Sequence, residues 1–171
     1  YVVLSTGELQ NKEELEWLKQ RSTLVTKPVT QKTTVKKPTG KQPVSKKPST
    51  TLTPAGAEES KTMLFKQSNV HDFAWFADKR FKVKKDYAVL SNGDTVTCWA
   101  MYTSKKEAWP NGARYTAKAI EHYSKYLGYY PYKIATAVEG ALSAGGGMEY
   151  PTITIVGSAN TPNLLETVTV H

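Results

Sequence analysis

Residues 145 to 150 read Gly-Gly-Gly-Met-Glu-Tyr, and the β-branched run Thr152-Ile-Thr-Ile-Val156 follows at once. Three chemistries use glycine clusters of this kind. A phosphate loop is not credible here. Gly140 and Gly145 have the G-x-x-x-x-G spacing, but Gly146 and Gly147 stand where a phosphate loop carries Lys and Ser/Thr. A serine nucleophile elbow is excluded as well. Ala141-Leu-Ser-Ala-Gly145 lacks the first glycine of G-x-S-x-G, and it precedes a strand-like run instead of joining strand to helix. The third chemistry is backbone recognition of an extended peptide. Glycine admits another chain without a Cβ in the way, and the strand Thr152 to Val156 could pair by an open edge with such a ligand. The Glu149 carboxylate, at the head of that strand, then faces the ligand's end, where a free α-ammonium is its natural partner. A hydrogen bond to a charged group contributes about 1.5–3 kcal/mol. Residue chemistry by itself leaves a plainer reading open: a glycine turn leading into a strand, with an exposed glutamate.

The elements that must position these residues follow from composition and periodicity. The chain has 171 residues and a formal charge of +8, enough for one domain or pieces of two. The charge is uneven. Between Glu16 and Glu58 there is no acidic residue, and nine Lys and Arg fall in that gap; the rest of the chain carries 14 basic against 15 acidic residues. Residues 22–57 are dominated by Lys, Pro, Thr, Val, Ser and Gln and hold too little apolar mass to offset chain entropy. They read as an extended, disordered insert. Its alternative role is a polybasic arm for a polyanion. It lacks the aromatics and arginines that base-stacking arms carry, so no nucleic-acid partner is expected. Cys98 is the only cysteine. An internal disulfide and a four-cysteine metal site are therefore excluded, and Cys98 reads as a small buried hydrophobe. No apolar run reaches the roughly 18 residues that span a bilayer.

Along the chain, Tyr1 to Leu4 is a strand already under way, and Asn11 with Glu14 forms a capping box for a short peripheral helix, Lys12 to Gln20. Thr62 to Phe65 and Phe73 to Ala77 are strand-like. Phe81 to Leu90 and Thr95 to Tyr102 flank Ser91-Asn-Gly-Asp94, a hairpin signal. Ala113 to Leu127 has helical spacing, with Gly128 suited to its C-terminal cap and Pro131 preventing resumption. Lys133 to Val138 and Thr152 to Val156 are strands. Thr161-Pro162 pairs an N-cap with proline at the first helical position, against the strand propensity of Thr167 to Val170. Helix is the preferred reading there.

Gly146-Gly-Met-Glu-Tyr-Pro151 resembles the G-x-M-E-N motif of the zinc aminopeptidases typified by aminopeptidase N and leukotriene hydrolase, the gluzincins. Tyr123 to Tyr132 resembles the helix and "YPY" turn that precede that motif. Asn69 to Trp75 and Tyr1 to Leu9 resemble parts of the family's N-terminal β domain. The similarity covers residues 1–21 and about 61–171. It implies an α+β fold: residues 1–84 as the end of a β-sandwich-like N-terminal domain, and residues 85–171 as the start of a thermolysin-like catalytic domain. The implied activity is a metallopeptidase that removes N-terminal residues from peptides with a free N-terminus, through a zinc-activated water. The implied substrate-binding residues are Gly146, Gly147, Met148 and Glu149.

The family carries H-E-x-x-H on a helix soon after this motif, and His171 stands where its first histidine, a zinc ligand, would lie. The resemblance places the general base and the remaining ligands beyond residue 171, so the 171 residues alone are expected to be inactive. Tyr150 replaces the family's asparagine, which puts exopeptidase specificity in doubt. His71 and His122 match no family site. The other readings are a non-catalytic peptide-binding scaffold of the same fold and a polyanion binder working through the insert.

Overall fold

The computed structural model describes residues 1–23, 58–104, 108–142, 146–157 and 161–170. Tyr1–Val25 with Met63–His171 forms one compact unit; Thr26–Thr62 is a second, of which only residues 58–62 are described. The reading of residues 22–57 as an extended insert, and of a polyanion site there, lies almost wholly outside the described residues.

The fold is α+β. Its centre is a five-stranded sheet in the order β5-β6-β7-β9-β8, built from β5 (Lys82–Val89), β6 (Thr95–Tyr102), β7 (Ile134–Glu139), β9 (Ile153–Val156) and β8 (Gly147–Tyr150). The β6-β7 and β7-β9 pairs are parallel, and both outer pairs, β5-β6 and β8-β9, are antiparallel. The inner strands are covered on both faces. Alternation is accordingly lost: Cys98 to Tyr102 and Ile134 to Val138 are buried without a break. The β5-β6 hairpin turns through Ser91-Asn-Gly-Asp94 as its Asn-Gly signal requires, with Gly93 at φ +88°. Asn92 Nδ2 donates to Asp94 Oδ2 at 2.8 Å, and Leu90 N to the Asp94 carbonyl at 2.9 Å.

One sheet face is covered by the N-terminal residues. β1 (Val2–Ser5) pairs with β4 (Trp75–Asp78), and β2 (Glu8–Leu9) with β3 (Phe65–Lys66), both antiparallel. With α1 (Lys12–Thr23) they bury Val2, Leu4, Leu9 and Leu18 against Val83, Trp99, Met101, Ile134, Val138 and Ile153. Each such side chain contributes about 1.5–3 kcal/mol when fully buried. The α1 helix is thus not peripheral, because Leu18 is fully buried.

The other face carries α2 (Gly112–Tyr123), which follows a 3₁₀ turn at Trp109–Asn111, and α3 (Pro162–Val170). Ala117 and Ile120 pack on Val96, Cys98 and Ala135, while Trp109 and Leu165 pack on Tyr102, Ala137 and Val156. Cys98 is fully buried, as its surroundings in the sequence suggest. The helix expected through Leu127 stops at Tyr123. Bonds of the tighter i,i+3 kind, Lys125 N to His122 O and Tyr126 N to Tyr123 O, appear there beside a last i,i+4 bond from Leu127 N to Tyr123 O, and Leu127 is left 81% exposed.

Candidate functional site

The glycine–glutamate stretch is itself a strand. Gly147–Tyr150 forms β8, at the rim of the sheet, pairing with β9 in the register Gly147↔Val156, Met148↔Ile155, Glu149↔Thr154 and Tyr150↔Ile153. This corrects the expectation that Thr152 to Val156 presents the open edge. β9 is enclosed between β7 and β8, so the outer rim belongs to the motif's own strand. Periodicity hid this strand, since it has only four residues and opens on a glycine, a residue that favours turns.

The direction in which β8 presents its main chain follows from its pairing. Gly157 N donates to Gly146 O at 2.7 Å, which makes Gly146 and Gly157 a hydrogen-bonded pair. Bonded and non-bonded pairs alternate in antiparallel ladders. Met148 and Tyr150 therefore direct their amides and carbonyls toward β9, and Gly147 and Glu149 direct theirs outward. Thr154 Oγ1 donates to the Met148 carbonyl at 3.1 Å, consistent with that orientation. Gly146 sits at φ +67°, which a glycine adopts without strain. At Gly147 a Cβ would stand 3.1 Å from the Ile155 carbonyl and 3.5 Å from Val168 Cγ1, so the strand, its partner and α3 meet closely there.

Side chains alternate across β8. Tyr150 lies on the face covered by the N-terminal strands, where its ring meets Phe76 edge-on at 6.5 Å. Met148 shares that face and is half exposed. Glu149, opposite Thr154, lies on the helical face with α3. Glu149 is exposed and has no hydrogen-bond or ion-pair partner among the described residues.

The turn joining β8 to β9 has only two residues between the paired Tyr150 and Ile153. Pro151 fixes its own φ near −65°, and Thr152 takes φ +63°. A β-branched residue in that region is a true outlier, costing about 1–3 kcal/mol. Thr152 is buried, and both of its oxygens accept hydrogen bonds. Its Oγ1 accepts from Gly7 N at 2.9 Å and its carbonyl accepts from Thr136 N at 2.9 Å.

Helix α3 forms where Thr161-Pro162 indicated. Thr161 Oγ1 accepts the Leu164 amide at 3.2 Å, and that cap with Leu165 in the core outweighs the strand propensity of Thr167 to Val170. His171 lies outside the described residues. His71 and His122 are both exposed, and the His122 ring rests against Tyr123 and Tyr126 at 5.5 and 5.1 Å. Among the described residues no three His, Cys, Asp or Glu come together as a metal site. A catalytic zinc takes three protein ligands, so the described residues do not fit a zinc ion.

Two structural features near the site were not foreseen from the sequence. One is Thr152, whose left-handed backbone no composition rule announces. The other is Glu139, at the end of β7. Its Oε2 accepts from Thr103 N at 2.7 Å, Ser104 N at 2.8 Å and Thr103 Oγ1 at 3.2 Å, tying down the chain after β6. Burial, with the nearby Glu139 charge, pushes the Tyr102 phenol upward. An acidic residue ending an apolar strand, directly before Gly140, is the signal that could have drawn attention to it.

No protein-family model matches the chain. No curated protein matches it either. Among solved structures, one similar to it is a two-domain M1 zinc metallopeptidase, a point mutant bound to L-arginine. The identity is 18% and the TM-score 0.40; the match covers 53% of this chain and 21% of the neighbour's. A likeness at that level carries no function across, and the functional reading stands on the motif and the geometry of β8.

Proposed function

We propose that this chain is part of a zinc-dependent aminopeptidase and that β8 is the edge along which a peptide substrate lies. The observation that supports this best is the outward presentation of Gly147 and Glu149 main-chain groups on a rim that no described strand covers, beside a Glu149 carboxylate with no partner among the described residues. A peptide adding as a further strand takes its main-chain hydrogen bonds from those two residues. Its terminal ammonium meets the Glu149 carboxylate. Gly146, whose carbonyl is committed to Gly157, shapes the approach, and Met148 offers an apolar contact on the opposite face. The order of motifs from Tyr1 to Pro151 supports the family assignment.

Zinc belongs to this proposal as the cofactor of a longer protein, with His171 as one ligand. Since the described residues do not hold it, no chemical step is assigned to these 171 residues. The division into a β domain up to residue 84 and a catalytic domain from residue 85 is likewise proposed; it falls within β5, which pairs along its whole length with β6.

The test is a titration of the chain with a tetrapeptide bearing a free N-terminus and with its N-acetyl form, followed by amide resonances. The Gly147 and Glu149 amides should shift most. The free peptide should bind about tenfold or more tightly, the ratio that one charge-assisted hydrogen bond supports. Equal affinities, or shifts away from β8, would overturn the reading. A non-catalytic peptide-binding scaffold would use the same rim. Metal analysis of the full-length protein separates the two.

A further inference from the structure

We infer that Thr152 is a positioning residue: its hydroxyl latches the β8-β9 turn to the N-terminal turn at Gly7 and so holds Glu149 and the outer rim of β8 in place for a peptide. This rests on the reading of β8 as a peptide-binding edge.

The turn needs outside support. With Pro151 at its first central position and positive φ only at Thr152, it is of the type II kind. Turns of that kind do not match the twist of paired strands and tend to splay them. Moreover, β8 has four residues and, among the described residues, a neighbouring strand on one side only. A strand so short, on so ill-matched a turn, would not by itself hold a side chain to a fixed position.

The anchor is rigid. Gly7 sits at φ +89°, and a Cβ there would stand 2.5 Å from the Lys66 carbonyl oxygen and 2.8 Å from Gln67 Cβ. The turn containing Gly7 is pinned to the segment before β4 by two bonds, Thr6 N to Ala74 O at 2.8 Å and Ala74 N to Thr6 Oγ1 at 3.1 Å. Against this anchor the Gly7 amide donates to Thr152 Oγ1, across 145 positions of sequence. Tyr150 adds a second tie on the same side through Phe76. The strained backbone of Thr152 is thereby explained. Glycine would adopt that φ freely, but it would leave the buried Gly7 N–H without its acceptor.

Three variants test the latch. Thr152→Ser keeps the acceptor, Thr152→Val keeps the shape without it, and Thr152→Gly removes it while relieving the backbone. Glycine at this position secures a folded comparison even where valine unfolds the chain. Two readouts are needed. The first is hydrogen exchange at the Gly7 and Met148 amides, without peptide. Exchange should rise about tenfold or more in the Gly and Val variants and stay near wild type in Ser. The second is the affinity ratio for free against N-acetylated tetrapeptide, which should collapse toward one in Gly and Val and survive in Ser. Unchanged exchange at Met148 in Thr152→Gly overturns the latch whether or not peptide binds. Raised exchange with an unaltered affinity ratio overturns its positioning role. A wild-type chain that gives no peptide response, yet shows the exchange pattern, defeats the peptide-edge reading while leaving the latch itself established.

Discussion

The amide of Gly157 donates to the carbonyl of Gly146 at 2.7 Å, and this bond settles which way β8 faces. Had the pairing slipped by one residue, Met148 and Tyr150 would point their main chain outward, and the side chains would exchange faces. In the register observed, Glu149 shares the helical face with α3, while Tyr150 packs into the core beneath the N-terminal strands.

Glu149 can be changed with little disturbance to the fold, because it is exposed and nothing described bonds to it. Glu149→Gln should alter stability by no more than about 0.5 kcal/mol. In peptide titrations it should lower affinity for the free-amine tetrapeptide about tenfold or more and leave the N-acetyl form unaffected. A variant that still prefers the free amine would remove Glu149 from the site.

Thr161 is a helix cap with a measurable contribution. Thr161→Ala removes the acceptor for the Leu164 amide and should destabilise the chain by about 1 kcal/mol in urea unfolding. Thr161→Ser should restore most of it. Faster exchange at Leu164 would locate the loss at the start of α3; no change in midpoint would show that Leu165 alone holds the helix.

Acid should weaken the β1-β4 region in a defined window. Side-chain hydrogen bonds from Arg80 to Asp78, at 2.6 to 3.2 Å, hold the Asp78 carboxyl at about 2, below its ordinary 3.8. A carboxylate with a depressed folded-state value stabilises the fold above the ordinary value, and that contribution fades as pH falls toward the depressed one. The difference in unfolding midpoint between wild type and Asp78→Asn should therefore be full at pH 5 and shrink between about pH 4 and 2. A difference independent of pH would mean the Arg80 contacts contribute only shape.

Cys98 should be inert in the folded chain. It has no exposed surface, and burial pushes its thiol up to about 12. Only the thiolate reacts readily. Alkylation at pH 8 should be negligible until denaturant unfolds the chain, and the reaction rate should then track unfolding. Rapid labelling without denaturant would contradict the packing of β6.

How much of this could be read beforehand depended on the kind of signal. Thr161-Pro162 and Asn92-Gly93 are local instructions, and the chain follows both. The strands β6, β7 and β9 were legible because β-branched and apolar residues run together there. By contrast, β8 is a strand through its partner: Gly147 and Glu149 have little intrinsic preference for it, and only the Gly157 bond and the register with β9 make it one. The same holds for the site. Gly147 and Glu149 were marked by their types, whereas Thr152 acts through Gly7, a contact between opposite ends of the chain that no window of neighbouring residues contains. The end of α2 was overrun for a related reason, since Leu127 keeps the helical spacing after the helix itself has tightened and stopped.

The covering of Trp99, Met101, Ile134, Val138 and Ile153 by Val2, Leu4, Leu9 and Leu18 bears on how the molecule can be dissected. A piece cut to begin at residue 85 would carry a bare greasy flank of the kind that drives aggregation. Residues on both sides of the proposed border share one hydrophobic cluster. The opening residues act as a lid on that face of the five-stranded sheet, and recombinant work should retain them.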